Sequence, residues 1–219
     1  MASRVADIRK SVLTLALPIT VSSLLQRAEG IVAVFLVGGL GVIPIAAVGL
    51  GQLLAFIATT LVSGLSVGSN VIIAQLWGAK RHRDAGEAAR HFLGLSIAVS
   101  LMLAALGMTL NRFAMDLLGA KPGVIELAIP YSTIIFLVIP FTVLLQVLSS
   151  ILQGTGDTRT PMYAMILVNL LHIGIAYPLV YGYWGLPALG VKGAAIAVGI
   201  AEAIGVAFLW WRSHPVLQS

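Results

Sequence analysis

Four ionisable side chains lie deep inside long apolar runs: Arg27, Glu29, His172 and Glu202. A charged group in hydrocarbon costs several kcal/mol unless it is paired or hydrated, so such positions point to function first. Glu29 leads the group, because a carboxyl in an apolar setting can take up and release a proton. Gln26 and Arg27 stand beside it. Arg27 is two residues from Glu29, so the two side chains point to different faces of a helix and no simple intrahelical ion pair is expected. Two readings stay open for this pair. Either they couple to an ion or substrate, or each satisfies a partner on another segment and fixes packing.

His172 follows Asn169 by three residues and shares its face, and Tyr177 and Tyr181 form an i,i+4 pair further along. Polar side chains of this kind serve as hydrogen-bonding glue between membrane helices, worth about 0.6–2 kcal/mol; contact with a cation or substrate is the other role for His172. Glu202 stands among the small residues Ala201, Ala203 and Gly205 and is a candidate second proton site. Two polar stripes complete the set. Thr59, Ser63, Ser66 and Asn70 are spaced on one helical face, and so are Gln146, Ser149, Ser150 and Gln153. Inside a membrane such stripes line a hydrated cavity or hold helices together. Thr60, Gly64 and Gly68 have the small-xxx-small spacing of close helix packing.

Gly64-Leu65-Ser66-Val67-Gly68 matches the G-x-S-x-G nucleophile pattern, but that pattern belongs on a strand-to-helix elbow, and here it is inside an apolar helix. An intramembrane serine protease would need Ser66 paired with His172. No catalytic residue and no metal site is expected, and without cysteine there are neither disulfides nor thiolate ligands.

The elements that carry these residues follow from composition. Of 219 residues, 59% are hydrophobic and 10% charged, against about 25% charged in soluble domains. Mean hydropathy is +1.02. The expected fold is all-α and integral to the lipid bilayer, a single membrane domain over 1–219. Spans of at least about 20 apolar residues are placed at 11–38, 46–77, 91–111, 124–153, 162–184 and 190–211. Pro140 and Pro178 lie within two of them and are expected to bend the helix. The first residues form a short basic arm with no signal peptide.

The pI of about 9.9 does not indicate nucleic acid, because the cations are spread over the gaps between apolar runs rather than clustered on one folded face. One side carries Arg4, Arg9, Lys10, Lys80, Arg81, Arg83, Arg90, Arg159 and Arg212; the other carries Arg112, Lys121 and Lys192. Nine against three places both termini in the cytoplasm. An even number of spans requires the same shared side. Leu40-Gly41-Val42 is echoed by Leu189-Gly190-Val191, a weak sign of internal repetition.

Several segments together resemble the multidrug and toxic compound extrusion (MATE) family. They are Leu17-Pro18-Ile19; Phe35 to Gly41 with Ala46 to Leu50; Gly64 to Gly68 leading to Ile73 to Lys80; Leu152 to Pro161, reading LQGTGDTRTP; and Gly190 to Ala197. Their order across nearly the whole chain is more specific than any one of them. In the LQGTGDTRTP segment Gly154 and Gly156 permit a tight turn, Thr160 is expected to cap the fifth helix and Pro161 to open it.

The resemblance implies an antiporter, not an enzyme, that exports amphipathic organic cations in exchange for H+ or Na+, a proton by preference, with no other cofactor. It also implies a plasma (inner) membrane location. Two departures stand out. One branch of the family has acidic residues where this chain has Ala33 and Tyr177, so coupling is expected to fall to Glu29. Family members also resemble two six-span lobes in parallel, and this chain is one lobe. A self-pairing homodimer or a separate partner lobe would complete it, the chain ending near where a linker would begin. A lipid or lipid-linked flippase of related architecture, or a non-transporting lobe, are the alternatives.

Overall fold

The computed structural model describes residues 2–185 and 187–218, with the side chains of residues 2–13 and 15 outside that description. The basic residues Arg4, Arg9 and Lys10 therefore have side chains outside the described set. Six helices follow one another: α1 (Ala2–Gly38), α2 (Val42–Gly78), α3 (His82–Leu117), α4 (Pro122–Gly154), α5 (Arg159–Tyr181) and α6 (Val191–Leu217). All six are long and apolar enough to cross a membrane. The all-α, six-span membrane architecture holds.

Several helices outrun the apolar runs that predicted them. The third was expected over 91–111, but α3 has 36 residues, about 54 Å at 1.5 Å per residue. That exceeds the roughly 30 Å of a hydrocarbon core. Its extra turns are polar and carry the i,i+3 pair Arg81–Asp84 at 2.5 Å and the i,i+4 pair Arg83–Glu87 at 3.9 Å. Charged residues end an apolar run without ending a helix. The fifth helix, expected to reach 184, stops at Tyr181 because Gly182 adopts the left-handed conformation at φ 78°.

The turn after α4 also differs from expectation in its cap. Gly156 sits at φ 93°, as a tight reversal requires. Thr160 does not cap α5; it lies in the first turn, where its backbone N–H and its hydroxyl both donate to the Asp157 carboxylate, at 3.0 and 2.6 Å. Asp157 thus does the work assigned to Thr160. Replacing Asp157 with Ala is expected to cost about 1 kcal/mol, read as a lower melting temperature in detergent, with Asp157→Asn retaining part of the loss.

Helix α4 is central and packs on α2, α3 and α6, while α5 pairs with α6 and α1. Lipid is as apolar as leucine, so packing rather than water exclusion must hold these helices together. Notches do this. A Cβ on Gly51 would come within 2.4 Å of the Tyr131 ring, and one on Gly107 within 2.2 Å of Phe136. Two aromatic rings of α4 therefore seat in glycine gaps on α2 and α3. Asn111 of α3 adds polar glue, donating to the Ile129 carbonyl and to Thr133 Oγ1 and accepting from Ser132.

The small-xxx-small stripe of α2 meets a neighbour at one end: a Cβ on Gly68 would lie 3.7 Å from the Phe92 ring, whereas one on Gly64 would meet nothing within 4 Å, and Thr60 is exposed. Gly41 and Gly190, in contrast, play matching parts: each has positive φ and immediately precedes a helix. Gly190 also lies beside Leu40, so the two echoing segments meet at one end of the bundle.

Candidate functional site: a polar trough along the first helix

A cavity of about 570 Å³ opens between α1, α2, α4 and α6. Its wall takes Ser23, Gln26, Arg27 and Glu29 from α1 and Thr59, Thr60 and Ser63 from α2. Thr142 and Gln146 come from α4 and Glu202 from α6. A smaller cavity of about 170 Å³ continues it toward the end bearing the basic loops, lined by Ser22, Ser66, Ser149 and Gln153 as well as Gln26 and Gln146. A third, of about 260 Å³, extends it the other way past Gly30, Ala33, Gln52 and Tyr131. Gln26 lines all three. Together they form one polar trough along α1.

Eleven of the polar and charged residues singled out by type and spacing converge on this trough: Gln26, Arg27, Glu29, Thr59, Ser63, Ser66, Gln146, Ser149, Ser150, Gln153 and Glu202. Glu202 is buried, and its Oε2 accepts a 2.6 Å hydrogen bond from the Thr142 hydroxyl. Glu29 Oε1 is shielded from solvent and has no hydrogen-bond partner. Arg27 is exposed at the mouth and forms no ion pair, since the two pairs found among the described residues lie at the start of α3. Among the described residues, no partner on another helix bonds Glu29 Oε1 and no carboxylate pairs with Arg27.

Four candidates lie elsewhere. Asn70 donates to the Ser150 carbonyl at 3.0 Å and joins α2 to α4. Asn169 donates to the carbonyls of Leu25 at 3.2 Å and Met165 at 2.9 Å, joining α5 to α1. His172 is fully buried, and neither ring nitrogen has a hydrogen-bond partner among the described residues. The gluing role read for His172 therefore belongs to Asn169. Tyr177 is half-exposed at the opposite end of α5, stacked on Tyr183 with ring centroids 5.3 Å apart. Ser66 and His172 share no hydrogen bond, and Ser66 lies within the unbroken α2. The protease arrangement is absent among the described residues.

Several trough residues were not anticipated, Ser22, Ser23, Thr142 and Gln52 among them. Thr142 stands four residues before Gln146, so the α4 stripe runs one turn further than its glutamines and serines suggested. Gln52 of α2 donates to the Gly30 carbonyl at 3.0 Å. It ties α2 to α1 one residue beyond Glu29, and nothing in its apolar sequence neighbourhood marks it.

The family model MatE matches residues 18–178. The chain belongs to the MatE family. The probable multidrug resistance protein YoeA of Bacillus subtilis is 30% identical over 204 residues, 91% of this chain. The probable multidrug resistance protein NorM of Thermotoga maritima is 30% identical over 94% of the chain. The chain spans 44% of the length of each of these two relatives. Among solved structures, a MATE protein in a bent conformation matches with a TM-score of 0.84 at 29% identity, covering 93% of this chain and 44% of that one. A MOP superfamily transporter from Pyrococcus furiosus, described as having a binding pocket of reverse polarity, matches with a TM-score of 0.81 at 29% identity, covering 92% and 44%. The six-helix bundle is one MATE lobe.

Proposed function

We propose that this chain is one lobe of a cation-coupled multidrug exporter, an antiporter that expels amphipathic organic cations against an inward flow of H+ or Na+. The observation that carries this reading is the convergence of Glu29 and Glu202 on one polar trough at mid-helix depth. A trough of hydroxyls, amides and two carboxyls within the membrane provides both a hydrated path and groups that can hold a cation. The relatives are named as multidrug resistance proteins, which agrees with it. The site lies in the inner membrane, with the basic end and both termini facing the cytoplasm.

The mouth of the trough calls for a cover. Gln26, Arg27, Thr60 and Ser63 are exposed there, and polar groups at that depth are costly against lipid tails. Two copies with the same orientation would close the trough between them, as parallel repeats allow. Binding in such a central cavity would alternate sides by rocking of one lobe on the other.

The test is flux of a fluorescent organic cation into or out of liposomes that contain only this purified chain, under an imposed proton or sodium gradient. Gradient-dependent movement is expected, and the gradient that drives it names the ion. No movement from folded, inserted protein would overturn the self-sufficient homodimer in favour of a partner lobe. Arg27, the one mid-depth cation on the trough wall among the described residues, favours a second reading, a flippase for lipids with anionic head groups; movement of labelled lipid instead of dye would establish it.

A further inference from the structure

Helix α6 has 27 residues, about 40 Å at 1.5 Å per residue, and a hydrocarbon core takes about 30 Å of that. Counted from Val191, the excess falls on the last turns, which therefore lie at head-group depth. Trp210, Trp211, Arg212 and His214 are exposed there, while Leu209, Ser213 and Val216 turn inward and are buried. The Arg212 guanidinium carbon lies 6.0 Å from the centre of the Trp211 ring, within reach of a cation–π contact. Arg212 belongs to no ion pair among the described residues. A hollow of about 390 Å³ opens beside it, lined among the described residues by Trp211, Arg212, His214 and Pro215. None of these four lines the trough. The same end of the lobe carries surplus positive charge. Six described cations, Lys80, Arg81, Arg83, Arg90, Arg159 and Arg212, stand against the carboxylates Asp84, Glu87 and Asp157. Arg81 and Arg83 are paired with Asp84 and Glu87. Arg90 donates to the Leu217 carbonyl, so a cation of α3 already closes the C-terminus of α6.

We propose that this face of α6 binds the head group of an anionic glycerophospholipid, drawn from the leaflet at the basic end of the lobe. Arg212 donates to the phosphate, for which a planar guanidinium fork is well shaped. Trp211 backs the guanidinium and sets the depth, since indole rings sit where head groups lie. The hollow beside Pro215 takes the glycerol and the first methylenes. Free phosphate would satisfy the arginine and leave two exposed indole rings uncovered. An acidic peptide in water would not cover rings that face the membrane boundary. An occupant charged at one end and apolar at the other meets both demands, and the surplus charge at this end attracts it. Because Arg90 joins the end of α6 to α3, a lipid held here steadies two helices at once.

The test needs no transport. Purified chain in a neutral detergent is melted with increasing dioleoylphosphatidylglycerol at physiological salt, where exposed charges more than about 8 Å apart are largely screened. A saturable rise in melting temperature is expected. Dioleoylphosphatidylcholine, with the same chains and no net charge, should need at least about fivefold more lipid for the same rise. Glycerol phosphate and inorganic phosphate should give none. Arg212→Gln should raise the half-effect concentration at least about tenfold, through loss of a charge-assisted hydrogen bond, and leave the lipid-free melting temperature unchanged. Arg212→Lys, which keeps the charge without the fork, should fall between. Lys80→Gln and Arg159→Gln remove the same charge outside the hollow and should shift the value by no more than about twofold. Trp211→Leu should weaken binding about threefold, and it serves if the arginine variant fails to fold. Equal weakening by Lys80→Gln or Arg159→Gln would overturn the site in favour of diffuse surface attraction. A rise with inorganic phosphate alone would overturn the lipid assignment, and no rise with phosphatidylglycerol would remove the site altogether.

Discussion

Glu29→Gln should abolish gradient-driven export while leaving the chain folded. The expected fall in the initial rate of dye movement is at least tenfold, because the variant keeps the size of the side chain but removes the group that can carry a proton or sodium ion. The location supports a large effect. Glu29 lies mid-helix on the trough wall, its Oε1 has no partner to lose, and no ion pair among the described residues depends on it. Substitution therefore costs Oε1 no hydrogen bond and breaks no described ion pair. A purely structural carboxyl would behave in the opposite way, with a lowered melting temperature and transport reduced only in proportion to folded protein. Full antiport by Glu29→Gln would remove Glu29 from the coupling step. Dye binding is expected to persist in the variant, since Gln26, Gln146 and the hydroxyl-bearing wall are intact.

How much of this was legible beforehand depends on which physical signal each feature leaves in a sequence. Intramembrane charge is the strongest, and it led directly to Arg27, Glu29 and Glu202. Polar spacing came next: Ser63, Ser66, Gln146, Ser149 and Gln153 all reach the trough. Asn70 sits on the same α2 stripe, yet it is used to bind α4. Spacing fixes a shared face but not whether the far end of that face meets a cavity or a neighbouring carbonyl. Thr142 escaped because a hydroxyl among aliphatics reads as a minor irregularity, and only the arrival of Glu202 from α6 gives it a role. His172 illustrates the converse. Its type promised chemistry, and its place in the core holds no hydrogen-bond partner among the described residues. Helix ends followed the same logic. Apolar runs report where lipid begins, whereas the helix of α3 continues through Asp84 and Glu87 on local ion pairs.

Gly193→Ala is expected to destabilise the lobe by about 1–3 kcal/mol or more, read as a clear drop in melting temperature and in the yield of monodisperse protein. The residue belongs to a segment that resembles the family, and the structure supplies a reason for it. A Cβ at position 193 would lie 2.6 Å from the Leu179 carbonyl oxygen and 2.7 Å from its carbon. Backbone cannot rotate away as a side-chain tip can. That same oxygen accepts the Leu189 N–H at 2.9 Å, so moving it also strains the connection between α5 and α6. The control is Gly64→Ala, which enters open space in the middle of α2 and gains up to about 1 kcal/mol of helix propensity. It should melt no lower than the unaltered chain. The two glycines look alike in a list of small residues, and only one is a contact between backbones. Were Gly64→Ala the damaging change, the α2 stripe would be a packing seam after all, and the trough that opens beside Thr60 and Ser63 would have to be closed by a helix rather than by water or substrate.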